Sequence, residues 1–297
     1  MDADGKPEFL TTRELAELLR IKQRKVYGLA ASGEIPCSRA MGKLLFPRRA
    51  VEQWLARHGA GFEPRPTAAR PNVFLGSHDP LLDWALRQSR AGLASFFDSS
   101  ADGLARFARG EGVATGLHIH EVDEGGNETW NVETVRARFA DEPVALVEWA
   151  WRGRGLILAQ HSTILELADL AGRRVVPRQA EAGSQRFFDH LLAKAGLGPG
   201  AVAMTAPARS EADAALAVQQ GQAEAAFGLR ALARQYRLGF VSLAFERFDI
   251  LVDRRAWFEP EMQRLFAFCR TEAFSAKAAE LGGYDLSGFG AVHFNGG

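Results

Sequence analysis

Cysteine is nearly missing from this chain of 297 residues: there are two, Cys37 and Cys269, far apart in sequence. So few thiols argue against a disulfide framework and suit a reducing, cytoplasmic compartment. Both lie beside apolar residues, Pro36 and the Phe266-Ala267-Phe268 run, which predicts buried structural thiols. Long apolar runs are also missing. The longest, Pro143 to Trp151, is short and contains Glu148, so no membrane span and no membrane partner are expected. The opening MDADGKPE is acidic and polar, unlike a secretory signal. No Gly-x-Ser-x-Gly elbow and neither of the glycine-rich phosphate-cradling patterns occurs. His118-Ile119-His120-Glu121 offers two imidazoles without an obvious third ligand. No metal, no cofactor and no catalytic residues are therefore expected.

Net charge is absent as well, with 36 basic and 36 acidic residues, but the balance is uneven along the chain. Residues 1–70 carry a net charge of +5 and the remainder −5. Between Arg20 and Arg49 there are eight basic residues and one acid, Glu34. A basic arm on an acidic body points to a polyanion that meets the arm alone.

In that arm, Thr11 and Glu14 form a Thr-x-x-Glu capping box, which predicts a helix from Thr12 with Leu15, Leu18 and Leu19 inward. Arg20-Ile21-Lys22 is a tight turn. A second helix from about Gln23 buries Val26, Leu29 and Ala30 and stops at Ser32-Gly33. Short apolar segments on either side of Met41-Gly42 predict a hairpin wing. Pro47 then suits the first position of a third helix, with Val51, Trp54 and Leu55 inward. The outer face of the second helix presents Lys22, Arg24, Lys25 and Tyr27 to base edges or phosphates. Arg39 and Lys43 on the wing and Arg48 after it suit phosphate contacts. The stretch Phe9 to Leu55 resembles the excisionase-like, MerR-related winged helix-turn-helix family. That resemblance implies a double-stranded DNA operator as partner, and a homodimer reading a two-fold site.

Residues 59–71, with three prolines and two glycines, read as a linker between a module at 1–58 and a domain at 72–297. Beyond it, apolar runs alternate with amphipathic segments. Expected strands are 73–75, 94–97, 113–119, 144–149, 156–159, 174–176, 223–227, 240–243 and 250–252. Expected helices are 81–91, 187–195, 211–220 and 261–268. This is the pattern of an α/β domain with largely parallel sheets. Three of the strand ends run into small polar residues: Gly76-Ser77-His78-Asp79, Asp98-Ser99-Ser100-Ala101 and Ala182-Gly183-Ser184-Gln185-Arg186. Such turns either cap helices or converge on a ligand, and three in one α/β domain favour a binding cleft.

Those turns resemble a periplasmic-binding-protein-like domain that stands behind helix-turn-helix modules in bacterial regulators, distantly similar to molybdate-binding proteins. The other matching pieces are Trp130-Asn131, Arg154-Gly155-Leu156, Pro177-Arg178-Gln179, Gly221 to Gly228 and Glu246 to Val252. The resemblance implies a type II two-lobed α/β fold. One lobe would hold residues 72–150 and 245–297 and the other 155–240, with crossovers near 149–155 and 240–248. By matching position it implies Ser77, Asp79, Ser99, Ser100, His118, Arg178, Ser184 and Arg186 as cleft residues. The family's Gly-Ser-Gly-Thr-Arg run is replaced by Ala182 to Arg186, and its Gly-Asn-Pro by Gln160-His161-Ser162. The expected protein is a ligand-responsive, DNA-binding transcription regulator whose effector is small and polar or anionic, such as molybdate or tungstate. The alternatives are an enzyme acting on a metabolite in the cleft, with a DNA-binding appendage, and an architectural protein that binds no small molecule.

Overall fold

The computed structural model describes residues 8–40, 42–48, 50, 51, 54, 69–122 and 125–297. The chain divides into two compact units between Ala69 and Arg70. Residues 59–68 of the expected linker lie outside the described residues. Arg70 does not behave as linker: it donates to the Phe107 and Gly112 carbonyls, pairs with Asp253 at 3.3 Å and stacks over Phe107 within the second unit.

The first unit runs β1 (Phe9–Thr11), α1 (Thr12–Leu19), α2 (Gln23–Ala31), β2 (Ser38–Ala40) and β3 (Lys43–Pro47). The capping box forms in full. Glu14 N–H donates to the Thr11 hydroxyl, and the Glu14 carboxylate accepts from the Thr11 N–H at 2.7 Å. Arg20, in the left-handed region, ends α1, and Ser32 caps α2. β3 pairs antiparallel with β2, as a wing should, and also with β1, a strand the sequence did not announce. Pro47 closes β3 opposite Phe9, and helical backbone begins at Arg48 instead. A proline at a strand end forfeits little, because its missing N–H is not needed there. Leu10, Leu15, Val26, Ile35, Phe46 and Val51 make the core. Leu18, expected inward, is 46% exposed. Cys37, expected to be buried, is exposed, because Ile35 is the residue of that segment that enters the core. Leu55 lies outside the described residues.

The second unit is built on a ten-stranded sheet. One lobe carries β4 (Val73–Ser77), β5 (Ala94–Asp98) and β6 (Ala114–Leu117), with β5 and β6 each parallel to β4. A hairpin of β7 (His120–Val122) and β8 (Glu128–Trp130) follows. The other lobe carries β10 (Arg174–Val176), β11 (Ala203–Met204) and β12 (Ala225–Leu229), again parallel. Between the lobes run β9 (Val144–Leu158) and β13 (Gly239–Asp253), antiparallel to each other over their whole length. β14 (Tyr284–Asp285) and β15 (Val292–Asn295) add to β9.

This central pair corrects two expectations. The runs at 144–149 and 156–159 are one strand of 15 residues, and so are those at 240–243 and 250–252. Arg152, Arg154, Glu246 and Arg247 sit mid-strand and read as loop in sequence. The first three are essentially fully buried. The lobes are therefore joined by two continuous strands at the expected crossovers, and the sheet is parallel only on its flanks.

Each lobe packs cores on both faces of its sheet. In the first, Phe74, Trp149, Phe248 and Phe266 fill one face, and Leu75, Phe107, Phe139 and Leu251 the other. In the second, Phe187, Phe188 and Phe227 fill one face, and Ile157, Val218 and Leu232 the other. The helices that matter for the cleft are α3 (Pro80–Gln88), α4 (Ser100–Ala108), α5 (Val132–Phe139), α6 (Gly183–Lys194) and α7 (Glu211–Gln219). α4 approaches the sheet closely because Gly103 lies on Gly76, where a Cβ would overlap the Gly76 backbone and the Thr115 hydroxyl. That approach sets Ser99 and Ser100 at the strand ends.

Candidate effector cleft and nucleic-acid face

Between the strand ends of the two lobes lies a cleft of ≈ 120 Å³. Three helix N-termini open onto it: α4 through Ser99, α6 through Ala182 to Ser184, and α7 through Ser210 and Glu211. Ser77, His78, Asp98, His118, Arg178 and Arg209 complete the polar lining. The first-turn N–H groups of helices carry partial positive charge and accept anions. Those of α4 and α7 are partly satisfied, since Ser99 and Ser210 cap them. α6 is different: Ala182 stands at its N-cap and offers no side-chain acceptor.

The serines differ in what they have left to offer. Ser77 and Ser100 share a hydrogen bond of 2.8 Å, and Ser100 also accepts from the His118 N–H. Ser184 is 3% exposed. The His118 ring stacks on Phe248 and sets Nδ1 3.3 Å from the Glu246 carboxylate. Arg178 is 9% exposed. It donates from Nη1 to the Ala208 carbonyl, its Nε has no partner, and no described carboxylate pairs with it. Burial pulls its pKa down, with Glu211 working against the shift. A guanidinium stays charged regardless, so this is a desolvated cation short of an anion.

Beneath the cleft floor lies a network that sequence reasoning missed as a unit. Arg152 donates to Asp79 at 3.1 Å and to Glu246. Arg154 donates to both oxygens of Glu211 at 2.8 Å, and its Nε lies 3.5 Å from Glu246. The two guanidiniums also stack over Phe248 and Phe227. Burial alone would raise the Glu246 pKa, but Arg152, Arg154 and His118 outweigh it and hold the carboxyl well below the usual range. The only hint in sequence was charge inside an apolar run.

The structure brings Ser77, Ser99, His118, Arg178 and Ser184 to one cleft, with Ser100 directly behind Ser77. It leaves two of the expected residues elsewhere. Asp79 is fully buried under the floor, where its carboxylate accepts from the Leu82 N–H, Arg152 and the Tyr284 hydroxyl, so it has no oxygen to spare for a ligand. Arg186 is exposed on α6 and opens on a neighbouring cavity of ≈ 220 Å³. It does not line the cleft itself.

In the first unit, α2 buries Val26 and Ala30 and exposes Lys22, Arg24, Lys25 and Tyr27. Lys43 is exposed at the start of β3 and shares a groove of ≈ 550 Å³ with Tyr27, Gln23 and Arg13. Arg48 is half-buried, and its N–H donates to the Glu8 carbonyl. Arg39 pairs with Leu44 through its backbone; its side chain lies outside the described residues. No helix among the described residues is long and apolar enough to cross a membrane.

Comparison with known proteins agrees with this architecture. Residues 84–270 match the model of the PBP superfamily domain, and residues 9–59 match a helix-turn-helix domain. A Bacillus subtilis (strain 168) protein described as uncharacterized protein YvgK is 23% identical over 305 residues, covering 95% of this chain and 96% of its own. Among solved structures, an H2O2-bound mutant of Corynebacterium glutamicum OxyR superposes with a TM-score of 0.51 at 11% identity. The match covers 91% of this chain and 90% of that one, a likeness of fold alone.

Proposed function

The chain belongs to the PBP superfamily domain family and carries a helix-turn-helix domain in front of it, and from that premise we propose that it is a DNA-binding regulator governed by a small anion. The observation that carries the effector class is Arg178, a buried guanidinium that pairs with no carboxylate among the described residues, beside the N-terminus of α6, which has no side-chain cap. A compact oxyanion would accept from Arg178, from the Ser184 hydroxyl and from the first N–H groups of α6. A cleft of ≈ 120 Å³ is small beside sites for drug-sized ligands, which span about 300–1,000 Å³, so the effector is small. Of the two carboxylates that line the cleft, Glu211 has both oxygens held by Arg154, which leaves Asp98 as the negative charge that Arg178 and Arg209 offset.

In the first unit, Lys22, Arg24, Lys25, Tyr27 and Lys43 form the DNA face, with α2 in the major groove and the wing on the backbone. A homodimer would place two such faces on a two-fold operator. Regulation then requires the anion to bind one state of the chain more tightly than the other. The test is to select DNA sites with the full chain, then measure affinity for the selected site with and without molybdate, tungstate, sulfate and phosphate. A change in affinity or footprint with one of them supports the reading. No selected site, or binding indifferent to every anion, contradicts it.

A further inference from the structure

Away from the cleft, His120 on β7, Glu128 on β8 and His190 on α6 offer three ligand atoms that all lie within 4.8 Å of one another. His190 Nε2 stands 3.5 Å from one Glu128 oxygen, and His120 Nε2 stands 3.9 Å from the other. Both imidazole Nε2 atoms are buried, and among the described residues neither has a well-formed hydrogen bond, Glu128 being their nearest polar neighbour. Two orphaned ring nitrogens facing one carboxylate need an explanation, because buried polar atoms are nearly always satisfied. Tetrahedral coordination at 2.0–2.1 Å separates ligand atoms by about 3.3–3.5 Å, so small side-chain adjustments would close the set.

We infer that His120, Glu128 and His190 form a binding site for a divalent transition-metal ion of the zinc class. Two neutral imidazoles and a carboxylate are a borderline donor set that suits zinc and not magnesium or calcium. Water would fill the fourth position. The cavity of ≈ 220 Å³ that His120 lines gives the ion a route in. His118 and Glu121 take no part. His118 is turned toward Glu246, and Glu121 accepts from the Glu133 and Thr134 N–H groups at the start of α5. The pairing of neighbouring histidines in the sequence therefore gives way to one assembled across three elements.

The position gives the ion a consequence. The β7–β8 hairpin leaves the first lobe after β6, yet its Trp130 packs into the core of the second lobe against Phe187. Asn131 fixes the hairpin base, accepting from the Ile119 N–H and donating to Asp249. An ion held by His120, Glu128 and His190 would tie this arm to α6, the helix whose N-terminus lines the cleft. Lys194 donates to Glu128 at 3.1 Å and occupies that carboxylate as a competing cation. Its side chain is 68% exposed and free to withdraw.

The test is titration of the full chain with Zn2+ in competition with a chromophoric chelator, with Co2+ absorption as a report of coordination geometry. The expected result is one ion per chain and tetrahedral Co2+ bands. His190→Gln should weaken binding by more than about tenfold, and Lys194→Gln should strengthen it by freeing Glu128. His190 is partly exposed, so its variant should fold; an unchanged unfolding temperature without metal verifies this. Absence of stoichiometric binding would overturn the proposal. So would equal affinity in the parent and in His190→Gln, which would put the ion elsewhere.

Discussion

The arginines of the second unit meet the cleft in two opposite ways. Arg152 and Arg154, mid-strand in β9, are fully buried and each faces carboxylates: Asp79 and Glu246 for the first, Glu211 and Glu246 for the second. Arg178, at the cleft wall, is less completely buried, and among the described residues its guanidinium meets only a backbone carbonyl. The difference in carboxylate pairing, more than the difference in burial, distinguishes the two. Charges matched inside the fold hold two lobes on a common pair of strands, whereas a desolvated charge without a partner is an uncompensated cost that a ligand can relieve.

The sharpest way to break this contrast is to unpair the scaffold. Glu246→Gln removes the buried carboxylate that Arg152 and Arg154 share, leaving Arg152 with Asp79 and Arg154 with Glu211, and should cost about 3–5 kcal/mol, read from denaturant unfolding of the full chain. A loss below about 1 kcal/mol would mean that water or rearrangement compensates the network. Its pH dependence follows with a definite sign. The Glu246 carboxyl sits below its ordinary value in the fold, so its contribution is present above the unfolded range and fades as pH falls below about 4. Glu246→Gln should flatten that acid limb.

The exposed cations of α2 carry the comparison to the helix-turn-helix unit. Arg24→Ala with Lys25→Ala should weaken DNA binding by about 2–4 kcal/mol and lower its salt dependence, with unfolding unchanged within about 0.5 kcal/mol. Undiminished affinity would move the DNA surface away from α2. Arg178→Ala should reduce anion affinity by about 1.5–3 kcal/mol, or roughly 10- to 150-fold, while leaving the fold intact or slightly stabilised. Ser184→Ala, which deletes one neutral donor, should cost about 1 kcal/mol of anion affinity in the same calorimetric titration.

The sequence was most readable where chemistry is local. The capping box at Thr11, the stop at Ser32-Gly33 and the turns that open α4 and α6 depend on neighbouring residues and appear where expected. It was least readable where charge is neutralised from afar. Arg152 is 73 residues from Asp79 and 94 from Glu246, so nothing local marks it as buried, and two long strands were each read as two short ones. Asp79 misled for the same reason: it caps α3 as its position promised, but its second oxygen belongs to Arg152 and Tyr284. His120 and His190 lie 70 positions apart and meet only through packing on Trp130 and Phe187.

The central claim is that Arg178 awaits an anion, and thermal unfolding of the full chain tests it directly. The parent and Arg178→Ala would be scanned against molybdate, tungstate, sulfate, phosphate and small carboxylates. At about 100 times its dissociation constant, a bound anion adds roughly 2.7 kcal/mol, or about 5–10 °C for a domain of this size. Such a shift is expected with at least one compact anion in the parent and should vanish in Arg178→Ala. No shift with any anion, or an equal shift in both proteins, would contradict it.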